Sequence, residues 1–285
     1  MINDMKCIAC GNSKLSKYSD NSYMNLPIYH CTNCGLYITG NSESKVKEKS
    51  YEIYKKEYWD KRGSEKSLES DFTDIDSQGK KRQWISQYAY CKPYFEGKKD
   101  LLEIGSGAGQ TIFWFEESGF TVTGIEPDER NVSFINKKLR HGHCIAGFAD
   151  DLNIDGKFDI IWISHVFEHL VRPDLLLKKC KDNLRKNGIL FIEVPNCEND
   201  KILNASINEN PSTFHFSKNA LLNLAQKSGY QVERCDFFRS PTKFEGGLNR
   251  LKKNITFIKN DLYPYYPKIL TKNREGTDIR LILKK

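Results

Sequence analysis

The sequence predicts an α/β fold with a doubly wound, mostly parallel sheet, preceded by a small cysteine-containing module and a helical segment. The sheet is indicated by an apolar run that ends in a glycine-rich turn, Asp100–Gln110, and by short β-branched runs that alternate with helix-like segments after it. The N-terminal module is indicated by two Cys-x-x-Cys pairs. A chain of 285 residues with 39% apolar residues is long enough for one α/β domain with additions.

Four of the nine cysteines form the two pairs, which are separated by about 20 residues. They are Cys7, Cys10, Cys31 and Cys34. A glycine follows each pair and lets the backbone turn so that amide N–H groups face the thiolates. This spacing predicts a structural, tetrahedral zinc site in a ribbon of residues 1–40. Two disulfides are the alternative, but the other five cysteines have no partner spacing, which favours zinc in a reducing cytosol.

Residues 41–97 are predicted to form a helical flap and a polar linker. The charged segment 43–66 carries Tyr51, Tyr54 and Tyr58 at steps of three and four, which places the three rings on one helix face. One interpretation is that these rings pack against the core. The alternative is a mobile flap in which Tyr58 closes over a bound ligand.

The third region, residues 98–285, begins with the glycine-rich turn. An apolar strand ends in Glu103, and glycines follow at every second position; the turn comprises Gly105, Ser106, Gly107 and Gly109. A strand, a glycine turn and a helix N-terminus form a cradle for a nucleotide-like ligand. A dinucleotide-binding turn would carry glycine at the place of Gln110, so the spacing argues against a dinucleotide.

The order acid-x-Gly-x-Gly-x-Gly resembles the first motif of class I S-adenosylmethionine-dependent methyltransferases. The next strand ends in Glu126, followed by Pro127, about 20 residues beyond the first glycine, where such folds place a carboxylate on the ribose hydroxyls. Further resemblances follow in the family's order: the loop Gly147–Leu152, the fourth motif Phe158–Leu170, which comprises a strand near 158–163 and the step that begins at Ser164, and the segment Arg185–Asn196.

The resemblance covers roughly residues 80 to 240 and implies a Rossmann-like sheet of seven strands that binds S-adenosylmethionine. In the loop Gly147–Leu152, it implies that Ala149 lends a backbone N–H to the adenine and that Asp150 or Asp151 meets its exocyclic amine. The last strand, near the C-terminus, is expected to be the antiparallel one. Residues 240–276 predict no regular structure, and we expect them to cover the acceptor side of the fold.

Three histidines are candidates for the general base that a hydroxyl acceptor requires. His165 and His169 follow the fourth strand in the step Ser-His-Val-Phe-Glu-His, and His215 comes from the loop after the fifth strand. The alternative is that the Glu-His-Leu step only braces the loop. A magnesium site, as in relatives with a Glu-x-x-Glu-His step, is disfavoured because His165 stands at the first position.

A four-cysteine ribbon joined to this kind of domain resembles methyltransferases that act on sugars in bacterial surface glycans and metabolites. We therefore expect O-methylation of a small-molecule or saccharide acceptor. The alternatives are an RNA base methyltransferase with a zinc module and a non-catalytic, cofactor-binding scaffold. The net charge of +7, from 44 basic and 37 acidic residues, is mild and makes a nucleic-acid partner unlikely. No apolar run predicts a membrane span or signal peptide, so a cytoplasmic location is expected.

Overall fold

The computed structural model describes residues 5–54, 78–240, 268–272 and 274–285. Tyr58, the polar linker and most of the 240–276 segment therefore lie outside the described residues. None of the described helices is long and apolar enough to cross a membrane.

The described residues contain twelve strands and seven α-helices. The strands are β1 Leu15–Ser19, β2 Ile28–Cys31, β3 Tyr37–Thr39, β4 Asp100–Ile104, β5 Thr121–Glu126, β6 His143–Ala146, β7 Phe158–Ser164, β8 Leu184–Pro195, β9 Phe214–His215, β10 Gln231–Arg239, β11 Ile269–Thr271 and β12 Asp278–Lys284. The helices are α1 Glu43–Glu52, α2 Gln78–Cys91, α3 Gln110–Glu117, α4 Glu129–Lys138, α5 Pro173–Asn183, α6 Asp200–Asn208 and α7 Lys218–Lys227. Two 3₁₀ turns, Lys92–Tyr94 and Phe167–His169, complete the set.

The larger sheet has the strand order β11-β10-β12-β8-β7-β4-β5-β6. Strands β4 to β8 pair in parallel, whereas β12 is antiparallel to both β8 and β10. The predicted mostly parallel sheet with an antiparallel closing strand is confirmed. Eight described strands are present rather than the expected seven, because the short β11 adds to the outer edge of β10.

The sheet is buried on both faces, as its continuous apolar runs predict. Leu101 of β4 and Ile160 of β7 belong to one buried cluster, whereas their neighbours Leu102 and Ile161 belong to the other. Successive side chains of a strand point to opposite faces, so helices pack on both sides of the sheet. The carboxyl ends of β4, β5 and β7 therefore meet at one edge, where a ligand site is expected.

The N-terminal ribbon forms a second sheet with the order β1-β2-β3-β9. The two-residue strand β9 lies between α6 and α7 in the chain, and its His215 is the register partner of Tyr37 in β3. Leu36 of the ribbon also shares a buried cluster with Leu221 and Leu224 of α7. The ribbon therefore shares both a sheet and a core with the rest of the molecule.

Candidate functional site

The glycine-rich turn after β4 has a backbone that only glycine adopts without strain. Gly105, Gly107 and Gly109 have φ angles of +79°, +54° and +89°. The N–H of Gly105 donates to the carbonyl of Ile125 at 2.8 Å, which ties the turn to the end of β5. A Cβ on Gly105 would lie 2.2 Å from Cγ2 of Val166, so the turn packs directly against the loop after β7.

Glu126 lies at the end of β5 with its carboxylate against this turn. Its two oxygens accept hydrogen bonds from the backbone N–H groups of Gly107 at 2.9 Å and Asp128 at 3.1 Å. Burial raises the pKa of Glu126 to about 7, although these N–H donors favour the ionised form. The carboxylate is thus fixed beside the glycine turn, while its contact with a ribose stays a prediction.

Glu103 and Ser106 bring two further polar groups to the turn. Both residues are buried, and Oε2 of Glu103 and Oγ of Ser106 have no hydrogen-bond partner among the described residues. Burial raises the pKa of Glu103 to about 8. Buried polar atoms without partners are uncommon in folded proteins, and here they lie beside a cradle suited to a polar ligand.

A cavity opens at the carboxyl ends of β4, β5 and β7 and brings most of the predicted cofactor residues together. Its lining includes Gly105, Gly107, Glu126, Pro127, Ala149, Asp150, Ser164, His165 and His169. Glu103, Ser106, Gly109 and Asp151 do not line it directly. The last turn of α1 contributes Ser50 and Tyr51, and the residues just after it contribute Tyr54; none of the three was predicted as a site residue.

The two aspartates of the predicted adenine loop are both held by protein groups. Asp150 accepts hydrogen bonds at 3.0 Å from the backbone N–H groups of Val171 and Arg172, immediately before α5. Asp151 accepts from Lys47 Nζ at 2.7 Å and from the Tyr51 hydroxyl at 2.8 Å. Their contact with an adenine amine stays a prediction.

Helix α1 covers the cavity from the side of this loop. The rings of Tyr51 and Phe148 stack with centroids 3.8 Å apart and an angle of 5° between their planes. Because Tyr51 also donates to Asp151, α1 is attached to the loop by an aromatic stack and a hydrogen bond. Tyr51 and Tyr54 thus line the cavity, whereas Tyr58 lies outside the described residues and a mobile flap stays a prediction.

His165 is the first residue after β7 and has a left-handed backbone, with φ of +53°. Such a conformation is strained for a residue other than glycine and is often found at functional sites. Its Nε2 lies 3.0 Å from Oε1 of Glu193 and 3.6 Å from Oδ1 of Asp278. Burial lowers the pKa of His165, but hydrogen bonds to Glu168 and Glu193 outweigh this effect and raise it to about 10.

A second cavity adjoins the first and shares His165 and His169 with it. Its remaining walls come from the Glu-His step, the end of β8, α6 and the start of β12. They consist of Glu168, Pro195, Ile202, Ala205, Ser206, Asn210, Ser212, Lys268, Thr277 and Asp278. The two histidines thus stand between the two cavities.

The backbone carbonyl of Pro211 orients the ring of His169. Its Nδ1 lies 3.2 Å from the carbonyl oxygen of Pro211, and its Nε2 lies 3.6 Å from Oε1 of Glu168. A carbonyl can only accept, so Nδ1 carries the hydrogen in this contact. In the neutral imidazole, the lone pair is then on Nε2, the atom near the Glu168 carboxylate.

His215 lines neither cavity. It is 1% exposed, and its ring lies between Ser206 Oγ, at 2.7 Å from Nδ1, and Thr39 Oγ1, at 3.1 Å from Nε2. Burial lowers its pKa to about 3, so the ring is neutral. This placement argues against His215 as a general base, because both ring nitrogens are engaged within the protein.

Three side chains, the cavity residues His165 and Asp278 and the buried Glu193, are close enough to share a metal ion. Two cationic side chains already contact this group, since Arg280 Nε donates to Glu193 and Lys268 Nζ donates to Asp278. The positive charges of Arg280 and Lys268 compensate these carboxylates, so the donor set does not require a metal.

The four cysteines of the two pairs converge as the spacing predicts. All four sulfurs lie within 4.8 Å of one another. Between the two pairs, Cys7 Sγ lies 3.5 Å from Cys34 Sγ, and Cys10 Sγ lies 3.5 Å from Cys31 Sγ. Gly11 and Gly35 have φ angles of +75° and +76°, as the turns after each pair require. This arrangement fits a tetrahedral site with four thiolates, while zinc itself stays a prediction.

Solved structures with a similar fold are methyltransferases. An S-adenosylmethionine-dependent methyltransferase from Archaeoglobus fulgidus matches with a TM-score of 0.52 and 22% identity, covering 70% of this chain and 92% of that one. The plantazolicin methyltransferase BamL, solved with a triazolic desmethylPZN analog and SAH, matches with a TM-score of 0.56 and 14% identity over 86% and 99% of the two chains. At these identities the likeness shows the fold alone.

Curated relatives include ubiquinone biosynthesis O-methyltransferases. The one from Rhodopseudomonas palustris (strain TIE-1) is 24% identical over 180 residues, which cover 59% of this chain and 66% of that protein. The one from Pelagibacter ubique (strain HTCC1062) is 29% identical over 164 residues, covering 55% and 67%. The matched segment thus spans about two thirds of the length of these relatives.

A family model described as a methyltransferase domain matches residues 76–234, more than half of the chain. The match runs from α2 to β10 and includes the glycine turn, Glu126, the Asp150 loop and the Glu-His step. The chain therefore belongs to the methyltransferase domain family.

Proposed function

We propose that this chain is an S-adenosylmethionine-dependent methyltransferase that binds its cofactor in the cavity at the carboxyl ends of β4, β5 and β7. The proposal rests on one observation above all: the Glu126 carboxylate is held against the glycine turn, and both line one cavity at the carboxyl ends of the strands. When bound, S-adenosylmethionine would supply the methyl group and leave as S-adenosylhomocysteine. The family match and the similar folds support this assignment.

The second cavity is the proposed acceptor site, because it adjoins the cofactor cavity at His165 and His169. Transfer of a methyl group requires the acceptor atom to approach the methyl carbon in line with the breaking C–S bond, so positioning supplies much of the catalysis. The step forms a bond from the acceptor oxygen to the methyl carbon and releases one proton from the hydroxyl. That proton needs an acceptor on the protein.

His169 is the proposed proton acceptor. The Pro211 carbonyl orients the ring through Nδ1–H, so that Nε2 is the atom on the side of Glu168, whose carboxylate at 3.6 Å would stabilise the imidazolium formed by proton transfer. His165 is less suited, since a pKa of about 10 keeps it protonated at neutral pH. We propose instead that His165 contributes positive charge near the reacting oxygen.

The proposed acceptor is a small molecule rich in hydroxyl groups, of the sugar or glycan-linked class. Ser206, Asn210, Ser212 and Thr277 offer hydrogen-bonding groups, and Lys268 adds a cationic one. These groups could bind the several hydroxyls of a polyhydroxylated acceptor, while Pro195, Ile202 and Ala205 add an apolar wall against which a ring could pack. The relatives named O-methyltransferases support oxygen as the methylated atom.

Two alternatives from other classes are separated by direct measurements. An RNA base methyltransferase would bind RNA with an affinity that falls steeply as salt rises, because phosphate contacts release counterions. A non-catalytic scaffold would bind the cofactor but transfer no methyl group.

The remaining proposals are a structural zinc ion on the four cysteines and a cytoplasmic location. Both are supported by the absence of disulfide bonds among the nine cysteines, all of which lie in the described residues.

The test is incubation of the protein with methyl-labelled S-adenosylmethionine and separate fractions of nucleotide sugars, glycans and RNA. We expect label in a sugar-containing fraction and none in RNA. Label in RNA alone would favour the nucleic-acid alternative, and cofactor binding without transfer to any fraction would favour the scaffold. Absence of cofactor binding would overturn the proposed function.

A further inference from the structure

Thr39, at the end of the ribbon strand β3, makes three hydrogen bonds to the segment that carries the second cavity. Its hydroxyl donates to the carbonyl of Ser212 at 2.7 Å and lies 3.1 Å from Nε2 of His215. Its backbone N–H donates to the carbonyl of Thr213 at 2.9 Å. Thr39 is 1% exposed, so these contacts are shielded from water and a missing partner would be costly.

The buried ring of His215 extends this connection to α6. The Thr39 hydroxyl gives its hydrogen to Ser212 and therefore accepts from Nε2–H of His215. The other ring nitrogen, Nδ1, then accepts from the Ser206 hydroxyl at 2.7 Å. A neutral imidazole has one donor and one acceptor, and this network uses both.

The network ends on the walls of the second cavity. Ser206 and Ser212 line that cavity, and their hydroxyls lie 3.3 Å apart. The backbone N–H of Thr213 donates to the carbonyl of Glu168 at 2.9 Å, which reaches the residue beside His169. The cofactor cavity receives no contact from Thr39 or His215.

We propose that Thr39 and His215 are positioning residues through which the N-terminal ribbon sets the geometry of the acceptor cavity. The ribbon is then part of the acceptor side of the enzyme, rather than a separate appendage. This inference rests on the proposed function for the identity of the second cavity as the acceptor site. The hydrogen-bond network itself is independent of that function.

The test compares the wild-type protein with Thr39→Val, Thr39→Ser and the control Thr121→Val. Thr39→Val keeps the shape of the side chain but removes the hydroxyl, Thr39→Ser retains it, and Thr121 is an exposed residue at the start of β5. Amide hydrogen exchange of residues 204–216 reports on the cavity wall. Calorimetry with S-adenosylmethionine reports on the first cavity, and methyl transfer is measured against a dilution series of the extract fraction that the wild-type protein labels.

In Thr39→Val we expect exchange of residues 204–216 to become about tenfold faster, since a buried hydroxyl with two partners is lost. We expect the acceptor concentration at half-maximal rate to rise about tenfold for the same reason, while kcat and the cofactor affinity change less than about threefold. Thr39→Ser should restore both values, and Thr121→Val should match the wild type.

Unchanged exchange in Thr39→Val would overturn the proposal, as would an equal loss of cofactor affinity, which would indicate general destabilisation. If the wild-type protein binds no cofactor, the proposed function fails, yet the exchange measurement still decides whether the ribbon holds this wall. If exchange of residues 204–216 becomes faster but the acceptor concentration at half-maximal rate stays unchanged, the ribbon holds the cavity wall without affecting the acceptor site. The proposal would then fail as well.

Discussion

At the scale of single residues, the buried carboxylate of Glu126 makes cofactor affinity depend on pH. Its folded-state pKa is raised to about 7 by burial, so a large fraction is protonated below neutral pH. Only the ionised form accepts two hydrogen bonds from a ribose diol. Binding therefore favours release of the proton, and the affinity rises with pH through about 7 and levels off above it.

We expect the affinity for S-adenosylmethionine to increase about tenfold between pH 6 and pH 8, as a single group with this pKa requires. Calorimetry at the two pH values measures the change. Glu126→Gln should bind more weakly and show no such dependence. Equal affinity of the wild-type protein at both pH values would contradict a role for the ionised Glu126 in binding.

His169 gives a second prediction at this scale. His169→Asn should lower kcat by about 10² to 10⁴, the usual range for the loss of a general base. Cofactor affinity should change little, because Asn keeps a polar group of moderate size at the cavity wall. His165→Asn is the matched variant. If His165→Asn lowers kcat more than His169→Asn does, the assignment of the base is reversed.

The sequence alone did not separate the three histidines. Each follows a strand at the correct edge of the sheet, and this pattern predicts proximity but not exposure. His215 proved to be buried between Thr39 and Ser206, partners that are 176 and 9 residues away in the chain. A contact across such a separation leaves no periodic pattern in the sequence.

At the scale of secondary-structure elements, Asp150 fixes the start of α5. Its carboxylate accepts the backbone N–H groups of the N-cap residue Arg172 and of Val171 before it, which fixes the chain where the helix begins. Asp150→Ala should lower the free energy of unfolding by about 1 to 3 kcal/mol, because two partly buried donors lose their partner.

Asp151→Ala is the control for Asp150→Ala, since its ion pair with Lys47 is exposed and should contribute less than about 1 kcal/mol. Urea unfolding followed by circular dichroism measures both variants. Similar stability losses in the two variants would contradict the capping role of Asp150.

The strands that carry the cofactor motifs were predictable because each combines an apolar run with a terminal acid or glycine. Strand β5 ends at Glu126, as its pattern indicates, and strand β7 spans Phe158–Ser164, within a residue of the predicted 158–163. The pairing of β9 with β3 was not predictable, since a two-residue strand has no periodicity. The sequence predicted a helix at α1 with its tyrosines on one face, but it did not predict that Tyr51 lies at the cavity. That position became clear only from the stack of Tyr51 on Phe148.

At the scale of the whole molecule, the ribbon and the larger domain form one folded unit through β9 and the shared core. A ribbon of about 40 residues is too small to be stable by itself, and a metal on its four cysteines would add to the stability that the shared core provides. We expect about one zinc per chain by elemental analysis, in keeping with one four-thiolate site. Cys31→Ser combined with Cys34→Ser should lose the metal and lower the midpoint of thermal unfolding.

Cys91→Ser is a control for the zinc measurement, because this buried cysteine lies outside the four-cysteine group. It should retain the metal even if its stability falls. A metal-free wild-type protein that unfolds at the same temperature with and without added zinc would contradict the zinc site.

The central claim is that the glycine turn after β4 binds S-adenosylmethionine, and calorimetry with Gly105→Ala tests it most directly. Gly105 and Gly119 both have left-handed backbones, but only a Cβ on Gly105 meets another side chain, Val166, at 2.2 Å. The wild-type protein and Gly119→Ala should therefore bind the cofactor with similar affinity, and Gly105→Ala should bind at least about tenfold more weakly. A wild-type protein that does not bind S-adenosylmethionine, or a Gly105→Ala variant that binds it equally well, would contradict the claim.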